Sequence, residues 1–435
     1  GASINQSHHR SIICWAGSFV YLCIKLQKVP HLEKTTVFND PIYGFIKIED
    51  PFVLQLIDHP YVQRLRRISQ MGLSSLVYPG AQHTRFAHAL GAYHLMGTAI
   101  SVLKSKGTVI TKQEEKALGY AILLHDIGHG PFSHALERAL IADFSHEQIG
   151  LALMNSLNQT FEGKLTLAIE IFKGTYPRSF MNQLVASQLD MDRLDYLKRD
   201  SFYTGVAEGN INADRLIDMI NVVDDQLVIE QKGVYSVEKF LMARRFMYWQ
   251  VYLHKKSLSA EILLLKSLER AQHLAAQGID LVMSPQLAHF LQNKPTEINW
   301  NQDTQDAFAA LDDIDILHAV KQWQAHSDPV LSRLAQMINN RTLLQIELFD
   351  HPVDSNTLES KKIETGQTWS LDGDQASYFV FSGKVRNTPY KAGQNPIVFI
   401  DKSGKMVSFD SLMEAPYYNA LLHPVIRHYL CFPKL

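Results

Sequence analysis

The segment from Leu123 to His134 carries three histidines and one aspartate within ten residues. It reads Leu-Leu-His-Asp-Ile-Gly-His-Gly-Pro-Phe-Ser-His, with His125 and Asp126 side by side. Imidazole nitrogen and carboxylate oxygen are both ligands of divalent metals. Adjacent side chains on a helix diverge by about 100°, so the pair can share a ligand only if it lies close against the helix. The segment therefore predicts a metal centre rather than a solvated helix end.

A helix is expected before this segment and a loop after it. Apolar residues recur with a helical period from Gln113 to Ile127. The glycines and the proline in Gly128–Pro131 then end the helix. His125 and Asp126 are thus expected in the last helical turn, next to a loop that carries the other two histidines.

A metal centre built on this pair needs at least two more ligands from other helices. The best candidates are His88, on a predicted helix over His83–Leu103, and Asp192, within the helical stretch Met181–Lys198. Each lies on an apolar helix with one polar face. Spacing alone does not separate Asp192 from its acidic neighbours Asp190, Asp195 and Asp200.

The composition is that of an ordinary globular protein with a large core. The chain has 435 residues, of which 46% are apolar and 20% charged, with a formal charge of −2. This balance argues against a broad surface for long nucleic acids, although local basic pockets remain compatible with it. The three cysteines have neither zinc-site spacing nor a disulfide pattern, so we expect a cytoplasmic protein.

The first 37 residues contain an apolar run from Ile12 to Ile24. A membrane-spanning helix needs about 20 residues, and no small-residue cleavage pattern follows the run. We interpret residues 1–37 as an N-terminal extension of unknown role rather than a signal sequence, and expect no association with a membrane.

The remaining pattern predicts a mainly α protein with a smaller C-terminal α+β region. The mostly helical domain is expected over residues 38–345 and the α+β region over 346–435. A turn at 40–44 precedes a short strand. Further helices are predicted at Pro51–Ile57, Tyr61–Met71 and Val237–Leu274, and Ser145 is a candidate helix cap. The arginines of Tyr61–Met71 suggest a solvated face. Stretches rich in β-formers follow at 377–384 and 396–409, with a hairpin tip at 402–405.

Several short motifs occur in a fixed order between about residues 40 and 260. They are Phe38–Ile42, Gln63–Arg66, Pro79–Ala81, Arg85–His88, His125–His134, His146–Gln148, Asp192–Tyr196, Arg199–Asp200 and Tyr252–Lys255. Together they resemble the HD-domain phosphohydrolases, and within them the deoxynucleoside triphosphate (dNTP) triphosphohydrolase branch, whose vertebrate members carry SAM and HD domains. The resemblance implies a helical HD fold and metal-dependent hydrolysis of dNTPs to deoxynucleoside and triphosphate.

The resemblance also implies roles for individual residues. One divalent transition metal (Mn, Fe, Ni, Co or Zn) would be held by His88, His125, Asp126 and Asp192, with Mg accompanying the substrate phosphates. The phosphates would meet Arg85, His129, His134, His146, Arg193 and Arg244. Tyr196 and Asp200 would contact the sugar, and Tyr252 would crowd its 2′ side. Glu137 lies three residues after His134, so the two can pair on a helix, which would suit His134 to act as the general acid.

A regulatory nucleotide pocket and a homo-oligomer, dimer or tetramer, are further expectations from the resemblance. Asp58, Gln63 and Arg66 match a pocket that binds GTP or dGTP as activator. Thr36 stands where the vertebrate enzymes have a lysine of that pocket, and Leu253 stands where they have a base-contacting glutamine. Two alternatives stay open: a phosphatase or phosphodiesterase acting on another nucleotide, and a nucleotide-gated binding protein with vestigial activity.

Overall fold

In a computed structural model, the chain is described at residues 35–132, 139–141, 144–388, 390, 396–412, 421 and 424–435. The α-helices there are α1 Pro51–Asp58, α2 Pro60–Gln63, α3 Arg85–Ser105, α4 Lys112–Leu124, α5 His146–Thr160, α6 Thr166–Lys173, α7 Ser179–Val185, α8 Met191–Thr204, α9 Ala213–Met219, α10 Val234–Met247, α11 Lys255–Ala276, α12 Pro285–Asn293, α13 Gln302–Ala310, α14 Asp313–Trp323, α15 Pro329–Asn339, α16 Ser355–Trp369, α17 Gly373–Ala376 and α18 Phe409–Leu412. The β-strands are β1 Thr36–Asp40, β2 Gly44–Ile48, β3 Ile220–Val223, β4 Gln226–Glu230, β5 Gln345–Phe349, β6 Phe381–Asn387, β7 Val398–Ile400, β8 Met406–Ser408 and β9 Val425–Phe432. The fold is mainly α, as predicted.

Helix α3 is the central element of the helical part. It begins after Thr84, whose hydroxyl accepts a hydrogen bond from the Ala87 amide, and it packs against α4 and α8. Most of its surface is buried, so it is apolar all round rather than on one stripe. By length and composition it is also the single helix within the described ranges that could cross a membrane, but 61% of its most apolar window is buried inside the protein.

The helix before the central motif ends slightly earlier than predicted. A capping box formed by Thr111 and Glu114 starts α4, and the helix ends at Leu124 with His125 as its C-cap. Tighter turns follow, in which the Ile127 amide donates to the Leu124 carbonyl and the His129 amide to the Asp126 carbonyl. His125 and Asp126 therefore lie just beyond the regular helix rather than in its last turn.

The predicted helix Tyr61–Met71 is wrong in length, and its arginines do not form one solvated face. The chain forms only α2 and a 3₁₀ turn at Arg64–Arg67, after which Ile68 is extended. The reason is tertiary: the buried Arg64 guanidinium donates to the carbonyl oxygens of Leu311, Ile127 and His129, at 2.7, 3.2 and 2.8 Å. Arg64 thereby ties this turn to the loop of the central motif.

Two other predicted helices are interrupted. The stretch Met181–Lys198 is broken between α7 and α8 by residues 186–190, because the Asp190 carboxylate accepts from the Ser187 and Arg193 amides and caps α8. The stretch Val237–Leu274 contains a π-helical turn at Tyr248–Tyr252 between α10 and α11. Single π-helical turns are rare in proteins, but those that occur often lie at functional sites.

The strands form three small sheets. Strands β1 and β2 pair across the predicted turn, where the Asp40 carboxylate accepts from the Ile42 and Tyr43 amides. Strands β5, β9 and β6 form an antiparallel sheet near the C-terminus. The hairpin β7–β8 has its tip at 402–405, as predicted, and β7 pairs in parallel with β4. This last pairing crosses the predicted boundary at residue 345, and the division into domains stays a prediction.

Some expectations lie outside the described residues. They concern the apolar run Ile12–Ile24 and the pair His134 and Glu137. The capping role of Ser145, by contrast, is confirmed: its hydroxyl accepts from the Gln148 amide, while the Gln148 side chain accepts from the Ser145 amide.

Candidate metal centre and active site

His88, His125 and Asp192 bring three ligand atoms to one point. Nε2 of His88 lies 3.2 Å from Nε2 of His125 and 3.1 Å from Oδ1 of Asp192, and Nε2 of His125 lies 3.5 Å from that oxygen. The side chains come from α3, the end of α4 and the first turn of α8. Two imidazoles and a carboxylate facing one point fit a divalent transition metal. We call these three residues the metal triad.

The outer nitrogens of both imidazoles have partners. Nδ1 of His88 lies 2.7 Å from Oδ2 of Asp195, and Nδ1 of His125 lies 2.6 Å from the carbonyl oxygen of Ile122. A proton held on each Nδ1 leaves the Nε2 lone pair facing the triad, which is the tautomer a metal requires. The polar surroundings of the triad therefore fit a bound cation.

A buried ion-pair network extends this support. Both carboxylate oxygens of Asp195 accept from the Arg199 guanidinium at 2.9 Å, and Arg199 donates a further bond of 2.8 Å to Asp40 in the β1–β2 turn. Asp195 and Arg199 are fully buried. The network thus joins α3, α8 and the hairpin through His88, and holds the ring of that histidine in place.

Electrostatics at the triad favour positive charge. Burial alone would lower the pKa of His88, but hydrogen bonds to Asp192 and Asp195 outweigh it and raise the pKa to about 10. Burial would raise the pKa of Asp192, whereas hydrogen bonds from His125 and His88 hold it far below its usual range. The carboxylates stay ionised and the imidazoles attract protons, as expected where the protein presents a cation site.

Asp126, the fourth predicted ligand, lies beside the triad but is engaged elsewhere. Its Oδ1 is 3.4 Å from Nε2 of His125, while its Oδ2 is 3.7 Å from Nε2 of His88. The same carboxylate accepts from Arg85 at 2.5 Å and lies 3.2 Å from Nε2 of His129. Arg85 and His129 thus lie next to the triad, where both contact the Asp126 carboxylate.

The four aspartates at positions 190, 192, 195 and 200, which spacing alone did not separate, lie in four different environments. Asp192 is in the triad and Asp195 supports His88. Asp190 caps α8, and burial raises its pKa to about 6. Asp200 is buried away from the triad and lies 2.7 Å from Nε2 of His83.

Two cavities meet at the triad. The first cavity, of about 440 Å³, is lined by Gln70, Met71, Gly72, Ser74, Arg85, Asp126, His129, Phe132, His146, Asp192, Arg193, Tyr196, Asp200, Tyr248, Tyr252, Leu253 and Glu261. The second cavity, of about 460 Å³, shares part of this wall and adds Lys173, Gln188 and Arg244. The shared wall consists of Asp126, His129, His146, Asp192 and Arg193. The site is therefore open on both sides of the triad.

Basic side chains surround the shared wall. The rings of His129 and His146 stack with centroids 4.0 Å apart. Nε of Arg193 donates to the Ser187 carbonyl at 2.6 Å, and Arg244 lines the second cavity. The residues that were predicted to contact phosphates, as far as the structure describes them, thus come together around the triad, and Arg85 is among them. This arrangement suits a multiply charged anion.

Aromatic residues line the first cavity beyond the triad. The Tyr252 hydroxyl donates to Oδ2 of Asp200 at 2.6 Å, and the Tyr252 ring lies at a steep angle to Tyr196 with centroids 6.5 Å apart. Burial, followed by the charge of Asp200, raises the pKa of Tyr252 well above its usual value, so its proton stays in place. Tyr252 belongs to the π-helical turn, which directs it toward Asp200 on α8.

The predicted regulatory residues lie apart from both cavities. Gln63 donates through Nε2 to the Ile57 carbonyl at 2.8 Å and accepts from Nε of Arg66 at 2.9 Å. The exposed Arg66 guanidinium stacks 3.7 Å above the Phe86 ring. Asp58 is exposed at the end of α1.

Sequence reasoning missed two supporting residues. The role of Asp195 follows from its buried contact with His88, and its only signal was its place three residues after Asp192. Asp313 is the other: its carboxylate accepts from the Phe132 and Ser69 amides at 2.9 and 2.8 Å and so fixes one edge of the first cavity. It comes from α14, far along the chain, and no local signal marks it.

Comparisons with known proteins agree with this architecture. A family model described as an HD associated region matches residues 211–297. An uncharacterized protein of Bacillus subtilis, YwfO, is 33% identical over 365 residues, which is 82% of each chain. A crystal structure of a phosphohydrolase from Bacteroides thetaiotaomicron is 46% identical, covers 92% of this chain and 100% of its own, and superposes with a TM-score of 0.89. The chain belongs to the HD-domain phosphohydrolases.

The HD-domain phosphohydrolases similar to this chain include named dNTP triphosphohydrolases. The SAMHD1 homolog of Dictyostelium discoideum, named a deoxynucleoside triphosphate triphosphohydrolase, is 32% identical over 251 residues. Those residues are 53% of this chain and 48% of that protein. Membership of this family makes the protein a phosphohydrolase and implies a divalent metal, for which the metal triad is the candidate site.

Proposed function

We propose that this protein hydrolyses dNTPs to deoxynucleoside and triphosphate, with one divalent transition metal held by His88, His125, Asp192 and Asp126. The observation that carries the proposal is the division of the first cavity: Asp192 of the metal triad lines one part together with Asp126 and basic residues, and the Asp200–Tyr252 pair lines another. A nucleotide has the same division, with phosphates at one end of its sugar and the base at the other.

The basic wall is proposed to hold the triphosphate. A triphosphate carries roughly four negative charges, which need cations and hydrogen-bond donors around them. Arg193 and Arg244 would bind the outer phosphates from the second cavity, while His129 and His146 would donate from the shared wall. When bound, the metal would polarise a phosphoryl oxygen and acidify a water molecule. His134, assisted by Glu137, would protonate the leaving sugar oxygen.

Arg85 is proposed to exchange partners when substrate binds. It now donates to Asp126, the fourth proposed metal ligand. A phosphate oxygen next to the metal would offer the guanidinium a second anion at the same place, and would leave Asp126 available to the cation. The positive charge of Arg85 would thus stay at the reacting end of the site in both states.

The sugar is proposed to lie against Tyr196, Asp200 and Tyr252. The Tyr252 hydroxyl is already bound to Asp200, and His83 holds the other Asp200 oxygen. A ribose 2′-hydroxyl pressed against the Tyr252 ring would find no spare partner there, at a cost of about 1–3 kcal/mol. This arrangement favours deoxyribose because it excludes the 2′-hydroxyl of ribose, and not because it makes an additional favourable contact with deoxyribose.

Product analysis tests the proposal directly. Metal-loaded protein is incubated with each of the four dNTPs and four NTPs, and products are separated by anion-exchange chromatography. We expect deoxynucleoside and intact triphosphate from dNTPs, and much less turnover of NTPs. The variant His125→Ala should be inactive, while His318→Ala, at an exposed histidine of α14, should match the wild type.

The alternatives predict other products. A phosphatase or phosphodiesterase would release orthophosphate, pyrophosphate or a nucleoside monophosphate. A nucleotide-gated binding protein would bind dNTPs with the metal in place and release nothing. The extent of the basic wall supports the triphosphohydrolase, because a single phosphate could contact only a few of its basic side chains.

We also propose that GTP or dGTP activates the enzyme at Asp58, Gln63 and Arg66, in a homo-oligomer. The proposal rests on the family resemblance and on the exposure of Asp58 and Arg66. The Asp58 carboxylate can accept two hydrogen bonds from the edge of guanine. Because Thr36 lacks the charge of a lysine, we expect weak activation. Turnover and oligomer size, by light scattering, that do not change with added GTP or dGTP would contradict this role.

A further inference from the structure

One wall of the first cavity has no role in the binding of metal, phosphates or sugar. It consists of Gln70, Met71, Gly72, Ser74, Leu253 and Glu261, and we call it the distal wall. A nucleotide carries its phosphates on C5′ and its base on C1′, so the two leave the sugar in different directions. With phosphates at the triad and sugar at Asp200–Tyr252, the base is directed toward the distal wall.

Glu261 is the only ionisable side chain of the distal wall. It lies on α11 with Leu258, Ile262 and Leu265 one turn away or adjacent, and these are buried or partly buried in the core. Its carboxylate faces Gly72: a Cβ atom at that glycine would lie 3.6 Å from Oε1 of Glu261. Burial raises the pKa of Glu261 to about 7.

The Glu261 carboxylate lacks a partner in the described part of the protein. No hydrogen bond or ion pair joins it to any residue within those ranges. The side chain is partly buried, so water reaches only part of the carboxyl. A ligand that supplies donors at this place would replace that water with direct hydrogen bonds, whereas a purely structural glutamate would be expected to have a protein partner.

Gln70 supplies a second unpaired acceptor in the same wall. Its Oε1 is buried and accepts no hydrogen bond from the described residues. The backbone amide of Gln70 donates to the backbone carbonyl of His83, and the ring of His83 contacts Asp200. Gln70 thus lies between the proposed sugar site and Glu261, with apolar Met71 and Leu253 in the same wall.

We infer that the Glu261 carboxylate reads the nucleobase of the substrate by accepting from two adjacent N–H donors, and that it selects guanine over the other three bases. The inference rests on the proposed function, since it assumes that a nucleotide occupies the first cavity. Guanine offers two adjacent N–H donors to an ionised carboxylate. Adenine and cytosine offer one amino donor beside a ring-nitrogen acceptor, whose lone pair would face the second oxygen of the carboxylate.

Thymine presents a different edge. Its single N–H donor lies between two carbonyl oxygens, and both oxygens would face the carboxylate and repel it. A pKa near 7 also makes a protonated Glu261 available at neutral pH. That form has one donor and one acceptor and pairs with adenine, cytosine or thymine alike, so guanine is the base that the ionised carboxylate distinguishes.

Competition among substrates is the first test. All four dNTPs are mixed at equal concentration with wild-type protein, Glu261→Gln and Glu261→Leu, and relative kcat/KM values are measured by chromatography. In the wild type, we expect dGTP to be the best substrate by roughly 5- to 100-fold over the other dNTPs, the range expected for one bidentate base contact. Glu261→Gln should remove this preference, because its amide offers one donor and one acceptor and does not match the two adjacent donors of guanine. Glu261→Leu should remove it as well.

A matched control lies on the same helix. Glu269→Gln removes a carboxylate that pairs with Lys266 near the surface, and should leave the base ranking unchanged. The isosteric Glu261→Gln keeps the test valid if Glu261→Leu fails to fold. An unchanged ranking in Glu261→Gln, or wild-type dGTP turnover no better than that of the other dNTPs, would overturn the inference.

Equilibrium binding separates this inference from the proposed function. The four deoxynucleosides, which lack phosphates, are titrated into wild-type protein and Glu261→Gln. Deoxyguanosine binding several-fold tighter than the others in the wild type, and a smaller difference in the variant, would support base reading by Glu261 even if no dNTP released triphosphate. Equal affinities in the wild type would overturn it, even if triphosphate release occurred.

Discussion

The two ends of the first cavity are built in opposite ways. At the metal end, the outer nitrogens of His88 and His125 have protein partners, and Asp195 and Arg199 form a buried network behind them. At the distal wall, Gln70 and Glu261 present acceptors that no described residue satisfies. The protein thus completes the reacting end by itself and leaves the other end for the ligand to complete.

This difference has an energetic consequence. Removing one partner from a buried ion-pair network leaves an uncompensated charge and typically costs about 3–5 kcal/mol. Replacing an acceptor that has no protein partner removes a cost instead of adding one. Substitutions at the metal end should therefore lower activity and metal content together, whereas substitutions at the distal wall should change substrate ranking with little loss of stability.

Metal removal at the reacting end should give the largest effect. We expect Asp126→Ala to lose the metal and, with it, at least about 10³-fold in turnover, since the cation supplies several kcal/mol of transition-state stabilisation. Metal content is measured by elemental analysis of the purified variant. Full metal content in Asp126→Ala would show that Asp126 serves Arg85 and His129 alone.

Substitution of the proposed general acid, His134, should give the next largest effect. This residue lies outside the described part of the chain. His134→Ala should retain its metal but lose about 10²–10⁴-fold in turnover, the typical contribution of a positioned acid. Glu137→Gln should lose less, because it only tunes that acid. A near-wild-type rate for His134→Ala would make it a structural residue and leave catalysis to the groups of the triad.

The support behind the triad should give a smaller effect. Asp195→Asn keeps the shape but weakens the hold on the His88 proton, so metal affinity should fall by about 10–100-fold. Metal titration followed by activity measures the loss, and added metal should restore most of the turnover. Asp214→Asn, an exposed carboxylate of α9, is the control. Unchanged metal affinity in Asp195→Asn would mean that packing alone orients His88.

The sugar region between the two ends should give the smallest effect. Tyr252→Ala should raise the relative turnover of NTPs several-fold, because the ring that meets the 2′-hydroxyl is gone, while Tyr252→Phe should keep the discrimination. The ratio of ATP to dATP turnover is the measurement, and thermal unfolding checks the fold. A destabilised Tyr252→Ala with an unchanged ratio would make Tyr252 a packing residue. Equal wild-type rates on ATP and dATP would show that no sugar gate exists.

Local sequence determined much of the helical framework around the site. The capping pattern at Ser145, the turn at Asp40 and the hairpin tip at 402–405 depend on contacts within a few residues, and each forms as predicted. His88 was a candidate from the residues alone because it lies on a strongly apolar helix, whereas the family resemblance selected Asp192 over Asp190, Asp195 and Asp200. The family resemblance carried the remaining assignments, and those stay predictions.

Only the tertiary structure decided which of several similar residues does what. Four aspartates between 190 and 200 look alike in the sequence, and they differ only in what lies opposite them in the fold. Arg64 is buried because the carbonyl groups it binds belong to segments more than 60 residues away, and that contact ends the predicted Tyr61–Met71 helix early. Glu261 faces Gly72 across the cavity for the same kind of reason. Caps and turns are set by neighbours along the chain, but the environment of a buried charge is set by whatever the folded chain packs against it.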